Sequence, residues 1–99
     1  MDVQFQAIHF DADQKLIEFI KERLSKLNLF YDKIIGSEVF LRLDKSDKNL
    51  NKTVEIKLNI PGKELFAKKQ CKSFEEATDE AVDALRRQIK KHKGKHLVK

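Results

Sequence analysis

Apolar and polar residues alternate along four stretches of the chain, and this period of two predicts β-strands. The clearest is the third, residues 54–60, where every second residue is aliphatic. The fourth, residues 64–71, follows the turn signal Pro61-Gly62 and is expected to return antiparallel to the third, with Lys69 interrupting its apolar pattern. The apolar positions of the four strands are Val3, Phe5 and Ala7; Val39, Leu41 and Leu43; Val54, Ile56, Leu58 and Ile60; and Leu65, Ala67 and Cys71.

Two further stretches repeat apolar residues at helical spacing. The first, residues 13–28, begins at Asp13, whose side chain is suited to cap a helix. The second begins with Ser73 and Glu76, the two ends of a capping box, and is expected to run to about residue 93 and end at Gly94. The apolar faces comprise Leu16, Ile20, Leu24 and Leu27 in the first helix and Phe74, Thr78, Ala81, Val82, Leu85 and Ile89 in the second.

The predicted order of elements is β-α-β-β-β-α, which indicates an α+β fold of two layers. The first β-α-β unit should be a right-handed crossover between parallel strands, and the remaining strands should form an antiparallel meander. Both helices are amphipathic, so we expect them on one face of a four-stranded mixed sheet, with the other face in water. A chain of 99 residues makes one domain, here with an ordered core over about residues 1–93 and a short basic tail over 94–99.

The net charge of +5 is concentrated at one end of the chain. Residues 1–83 carry 14 basic and 16 acidic residues, a balance of −2, whereas residues 84–99 carry seven basic residues and no acidic one. Basic residues near a helix C-terminus also complement the helix dipole, but that accounts for two or three lysines and not for seven cations. The charge distribution therefore favours a polyanion-binding element in the second helix.

A helical wheel separates these cations from the apolar stripe. With Leu85 as origin, one group of cations lies at about 80–140° and consists of Arg86, Lys90 and Lys93. A second group lies at about 200–240° and consists of Arg87 and Lys91. In the first helix, Arg23 lies near the centre of the apolar stripe, with Lys26 beside it. Arg23 either extends over the edge of the core, as long basic side chains do, or faces a groove beside the second helix and enlarges the anion site.

Other chemistry finds little support in the sequence. The single cysteine, Cys71, excludes an internal disulfide and fits a reducing cytoplasm. His92 and His96 are spaced for a shared metal ion, but lysines surround them and no other ligand is near in sequence. The sequence lacks nucleophile and phosphate-loop motifs, a signal peptide and a membrane span. No aromatic pair resembles a base-stacking platform. We expect a cytoplasmic monomer that binds neither cofactor nor metal and is not an enzyme.

Three short motifs resemble those of the short ribosome hibernation promoting factors, the ribosome-associated inhibitor and sigma-modulation protein family. Residues 85–93, LRRQIKKHK, match the family pattern Leu-x-Arg-Gln-Leu-x-Lys-His/Tyr-Lys. Residues 23–27, RLSKL, match a basic-apolar-x-Lys-Leu signature, and residues 30–34, FYDKI, include Tyr/Phe-Asp-Arg/Lys-Ile. The resemblance covers nearly the whole chain.

The resemblance implies a domain shaped like double-stranded-RNA-binding domains, which docks in the mRNA and tRNA channel of the small ribosomal subunit. Members silence ribosomes in stationary phase and favour their pairing. Arg87, Lys91 and Lys93 match the basic motif positions and are implied rRNA contacts, as is the pair Arg23 and Lys26. Arg86 and Lys90 occupy variable positions of the motif, and only the helical wheel predicts them as contacts.

The chain departs from the family pattern in several places. A Tyr-Ala-Ala-Ile-Asp run opening the second helix is replaced by Glu-Glu-Ala-Thr-Asp at residues 75–79, and the glycine after the first strand is replaced around Ala7-Ile8. Lys69 replaces a small residue. The chain ends at Lys99 without the dimerisation domain of longer members, so in place of self-driven ribosome pairing we expect either pairing that needs a second factor or simple inactivation. A different class of function, a protein-interaction domain that modulates a transcription factor, stays open.

Overall fold

The computed structural model describes residues 1–44 and 50–97, with side chains described as far as residue 94. The order of elements is the predicted β-α-β-β-β-α. They are β1 (Asp2–Ile8), α1 (Gln14–Phe30), β2 (Gly36–Leu43), β3 (Lys52–Ile60), β4 (Lys63–Cys71) and α2 (Phe74–Leu97). The α+β class is confirmed, and α1 ends two residues later than the sequence pattern indicated.

The four strands form one mixed sheet in the order β1-β2-β3-β4. β1 is parallel to β2, and the other neighbouring pairs are antiparallel, as expected. The register sets Val39 beside Ile56 and Leu41 beside Val54, so the apolar alternates of neighbouring strands share one face. The buried residues of both helices join the same core, which places both helices on that face.

The helix starts follow the capping chemistry that the sequence predicts. The carboxylate of Asp13 accepts a hydrogen bond from the backbone N–H of Leu16 at 2.8 Å. The hydroxyl of Ser73 accepts one from the backbone N–H of Glu76 at 3.1 Å. Each cap satisfies a backbone donor that the first turn of a helix leaves without an intrahelical partner. The capping residues therefore set where α1 and α2 begin.

The predicted end of α2 at Gly94 is wrong, because the helix continues to Leu97. A glycine inside a helix costs about 1 kcal/mol relative to alanine, which a long helix tolerates. Gly94 does not adopt the left-handed conformation that would end the helix. Part of the predicted basic tail is thus helical, while residues 98–99 lie outside the described residues.

The face of the sheet away from the helices carries the polar alternates, together with two aromatic rings. Phe40 is half-buried and Phe66 is 42% exposed, so both rings lie outside the core. Lys57 lies over the Phe40 ring, with its Nζ 5.5 Å from the ring centroid. Cys71 faces the other way and is buried in the core, as its place in the β4 pattern predicted.

One backbone position after β1 explains the glycine that the family pattern has there. His9 has a φ of +73°, in the left-handed region. This conformation costs an L-residue roughly 1–2 kcal/mol, and glycine adopts it freely. The structure thus places the glycine-like position at His9, one residue beyond the Ala7-Ile8 pair.

Candidate nucleic-acid interface

The C-terminal end of α1 meets the second half of α2 at the ring of Phe30. Two cations of α2 lie on this ring: the guanidinium carbon of Arg86 is 4.7 Å from its centroid, and Nζ of Lys93 is 4.6 Å from it. Lys93 also donates a hydrogen bond to the backbone oxygen of Phe30 at 3.4 Å. Arg86 and Lys93 are seven residues apart, two helical turns, so they share one flank of α2. The aromatic ring holds both cations in place beside α1.

Arg23 reaches from α1 to α2 across the groove between the helices. Its Nε donates a hydrogen bond to the Asp79 carboxylate at 2.7 Å, and its guanidinium carbon lies 4.3 Å from the Phe19 ring centroid. The hydrogen bond to Asp79 raises the pKa of the Arg23 guanidinium. The side chain is 29% exposed. Arg23 therefore faces the groove beside the second helix, and its part in an anion site stays a prediction.

A cleft of about 210 Å³ between the helices brings three of the predicted residues together. Arg23 and Lys26 line it from α1, and Arg86 lines it from α2. We call Arg23, Lys26, Arg86 and Lys93 the helix-pair surface. It joins residues from two elements distant in sequence, which is the arrangement needed to contact several phosphates of one RNA backbone.

The other three predicted residues lie elsewhere on α2. Arg87 is 77% exposed and forms an i,i+4 ion pair with Asp83. Lys90 is exposed. Lys91 lies on the opposite flank, in a depression that it shares with Glu64 of β4. The seven candidate residues therefore surround the end of α2 on several sides and do not form one cluster.

Acidic residues contact several of these cations. Asp79 binds Arg23, Asp83 binds Arg87, and Glu22 lies 3.5 Å from Nζ of Lys26. Acids near a helix N-terminus favour the helix dipole, and in this structure two acids of α2 also contact cations. Exposed ion pairs contribute only about 0–1 kcal/mol, so a phosphate can replace the carboxylate. The acids orient the cations and compete weakly for them.

Neutralising two of these acids is expected to strengthen binding of the polyanion that the charge distribution predicts. In Asp79→Asn/Asp83→Asn, Arg23 and Arg87 lose a competing carboxylate, and affinity for small ribosomal subunits, the partner that the sequence resemblance implies, should rise about threefold to fivefold. Co-sedimentation at fixed salt measures the change. Glu18→Gln/Glu75→Gln adds the same charge at exposed acids and is the control. Equal gains in both variants would assign the effect to net charge.

Sequence reasoning missed a wider groove beside this surface. It has a volume of about 620 Å³, and Tyr31, Lys33, Pro61, His92 and Lys93 are among the residues that line it. The rings of Tyr31 and His92 meet edge to face, with centroids 6.3 Å apart. Tyr31 and Lys33 belong to the FYDKI motif, but the other residues come from the β3–β4 turn and α2, so no local sequence signal joins the whole set. We call it the terminal groove.

Chemistry outside these surfaces centres on Cys71. Burial and a hydrogen bond to Glu80 raise the pKa of its thiol to about 12. Sγ lies 3.4 Å from the Glu80 carboxylate, and Glu76 completes a group whose ligand atoms are within 4.8 Å of one another. A protonated thiol that donates a hydrogen bond to the Glu80 carboxylate accounts for this proximity. Within the described residues, no helix is long and apolar enough to cross a membrane.

Comparison with known proteins identifies the family. The family model described as Sigma 54 modulation protein / S30EA ribosomal protein matches residues 3–97. The chain belongs to this family. A ribosome hibernation promoting factor of Pseudomonas putida is 34% identical to this S30EA-family chain over 95 residues, covering 96% of the chain and 89% of the relative. The factor of Escherichia coli K12 is 27% identical, covering 96% of each.

Solved structures confirm the fold of this S30EA-family protein. A ribosomal subunit interface protein from Coxiella burnetii superposes with a TM-score of 0.85 at 20% identity, covering 95% of this chain and 99% of that one. The N-terminal domain of Thermus thermophilus Protein Y gives a TM-score of 0.80 at 22% identity, covering 93% and 99%. The resemblance drawn from the three sequence motifs is confirmed, and so is the β-α-β-β-β-α architecture.

Proposed function

We propose that this S30EA-family protein is a ribosome hibernation factor that binds rRNA of the small subunit in the mRNA and tRNA channel. There it inhibits translation in stationary phase or stress. The observation that carries the proposal is the helix-pair surface, where the positive excess of the chain meets the first helix. The names of its relatives, hibernation promoting factors, support the same function.

The proposed mechanism is phosphate recognition by cations that are already in place. Phe19 contacts Arg23, and Phe30 contacts Arg86 and Lys93, so binding costs these three side chains little further entropy. Arg87, Lys90 and Lys91 extend the contact around the end of α2. The proposed rRNA contacts are Arg23, Lys26, Arg86, Arg87, Lys90, Lys91 and Lys93. The mechanism involves binding alone and no catalysis.

This function carries further expectations about state and location. We propose a cytoplasmic protein that is monomeric off the ribosome. On the ribosome it occupies the positions of tRNA and mRNA. Sucrose-gradient profiles of stationary-phase cells with and without the protein separate paired ribosomes from inactive single ones.

The salt dependence of binding to purified small subunits tests the proposal. Each neutralised phosphate contributes about −0.7 to −0.9 to the slope of log affinity against log salt, so up to seven contacts predict a slope as steep as about −6. Sedimentation over a range of potassium chloride concentrations measures it, and purified large subunits are the control. An affinity that does not change with salt concentration, or that is equal for small and large subunits, would contradict the proposal.

The second class of function is a protein-interaction domain that modulates a transcription factor. The description of the family model, which includes sigma 54 modulation, is the observation that favours it. A pull-down from lysate at physiological salt distinguishes the two. Recovery of a sigma factor without ribosomal subunits supports the second function, and recovery of small subunits supports the first.

A further inference from the structure

The terminal groove lies at the ends of the two helices, next to the helix-pair surface. We propose that it takes one unstacked nucleotide, with the base against Tyr31 and the phosphate at Lys33 and Lys93. The nucleotide comes either from an unpaired position of an RNA strand or from a free nucleotide, and the chemistry of recognition is the same. In the first case the inference rests on the proposed function and deepens it.

The size and lining of the groove suit a base. Its volume of about 620 Å³ lies within the roughly 300–1,000 Å³ of small-molecule sites. Tyr31 packs against the core and lines the groove, where its ring meets that of His92 edge to face. Leu29, at its rim, is 86% exposed, which is unusual for a leucine. Aromatic rings bind unstacked bases without regard to sequence.

The charges of the groove suit a phosphate. Among the described residues that line it, the lysines Lys33 and Lys93 outnumber the one acid, Asp32, so their summed charge is positive. Lys93 is held by the ring and the backbone oxygen of Phe30, which fixes its position before a ligand arrives. Asp32 offers an acceptor for the amino or imino N–H of a base. Aromatic, cationic and acceptor groups together match a nucleotide better than an inorganic anion or an apolar ligand.

The groove and the helix-pair surface are continuous, because Lys93 belongs to both. An RNA whose backbone runs along Arg86 and Lys93 therefore brings its next nucleotide to Tyr31. A base stacked inside a duplex does not reach the groove. This geometry selects an RNA segment with an unpaired base beside the bound backbone.

Tyrosine fluorescence reports directly on the groove, since Tyr31 is the only tyrosine and the chain has no tryptophan. The full-length protein is titrated with hexauridylate, with an abasic hexamer of equal charge, with a short blunt RNA duplex and with free UMP. We expect hexauridylate to quench the emission, and the abasic hexamer and the duplex to leave it unchanged. Equal effects of hexauridylate and the abasic hexamer would overturn the proposal.

Free UMP distinguishes the source of the nucleotide. If UMP quenches at the same concentration as hexauridylate and displaces it, the occupant is a free nucleotide. If hexauridylate binds at least tenfold more tightly, the occupant belongs to an RNA strand. Failure of both ligands to quench removes the groove as a site. It leaves the proposed function standing as long as salt-dependent binding to small subunits persists.

Substitutions supply a second measurement by anisotropy of labelled hexauridylate. Tyr31→Leu keeps an apolar side chain without a flat ring and should weaken binding at least fivefold. Tyr31→Phe keeps the ring and should bind as the wild type does. Lys33→Gln should reduce the salt slope by about 0.7, with Lys15→Gln, at the other end of α1, as control. Equal binding by the leucine and phenylalanine variants would contradict stacking.

Discussion

Replacing Arg87, Lys91 and Lys93 together by glutamate is expected to weaken binding to small ribosomal subunits roughly a thousandfold. Each loses a charge-assisted hydrogen bond to phosphate, about 1.5 kcal/mol or more, and the new carboxylates repel the RNA backbone. The slope of log affinity against log salt should also become shallower by about 2–3, because each lost phosphate contact contributes about 0.7–0.9. Co-sedimentation with purified subunits over a range of salt concentrations measures both quantities.

A charge-matched variant separates local contact from net charge. Lys15, Lys68 and Lys72 are exposed and lie away from the second half of α2, and their change to glutamate alters the net charge equally. This control should lose only the small part of affinity that long-range attraction supplies. Similar losses in the two triple variants would mean that the end of α2 makes no specific contact. Circular dichroism checks that both variants fold.

The three residues test different parts of the surface. Lys93 is part of the helix-pair surface and lies on the Phe30 ring, whereas Arg87 and Lys91 lie on other sides of α2. Single variants therefore locate the RNA. A dominant loss with Lys93→Glu would place the backbone in the groove between the helices, and a dominant loss with Lys91→Glu would place it near β4. Equal losses would mean that the RNA surrounds the end of the helix.

The fold could be predicted closely because its signals are local. The period of two in residues 54–60 and the caps at Asp13 and Ser73 each act within a few residues of sequence, and the structure confirms all three. The end of α2 was predicted wrongly for the same reason: glycine locally favours a helix end, but this long helix continues through Gly94.

The site could be predicted only in part, because its decisive contacts join distant residues. Charge and helical phase located the cations of α2, but the contact of Arg23 with Asp79 requires the two helices to be side by side. The same holds for Tyr31 and His92, whose rings meet only in the folded chain. Sequence patterns give the residue types of a site, and tertiary packing decides which of them act together.

The cations of α2 depend on the buried stripe beneath them, and Leu85 is its fully buried member closest to Arg86 and Arg87. Leu85→Ala is expected to lower the free energy of unfolding by about 3 kcal/mol, because the cavity adds to the lost transfer energy. The melting temperature should fall by roughly 12–24 °C. Leu29→Ala is the matched control: Leu29 is 86% exposed, so its change should stay within about 0.5 kcal/mol. Thermal and urea unfolding followed by circular dichroism measure both.

Below its melting temperature, Leu85→Ala should still bind small subunits as the wild type does, because Leu85 faces the sheet and contacts no RNA. Equal stability of the two variants would contradict the packing of α2 on the sheet, and a loss of binding in folded Leu85→Ala would mean that core packing also positions the cations.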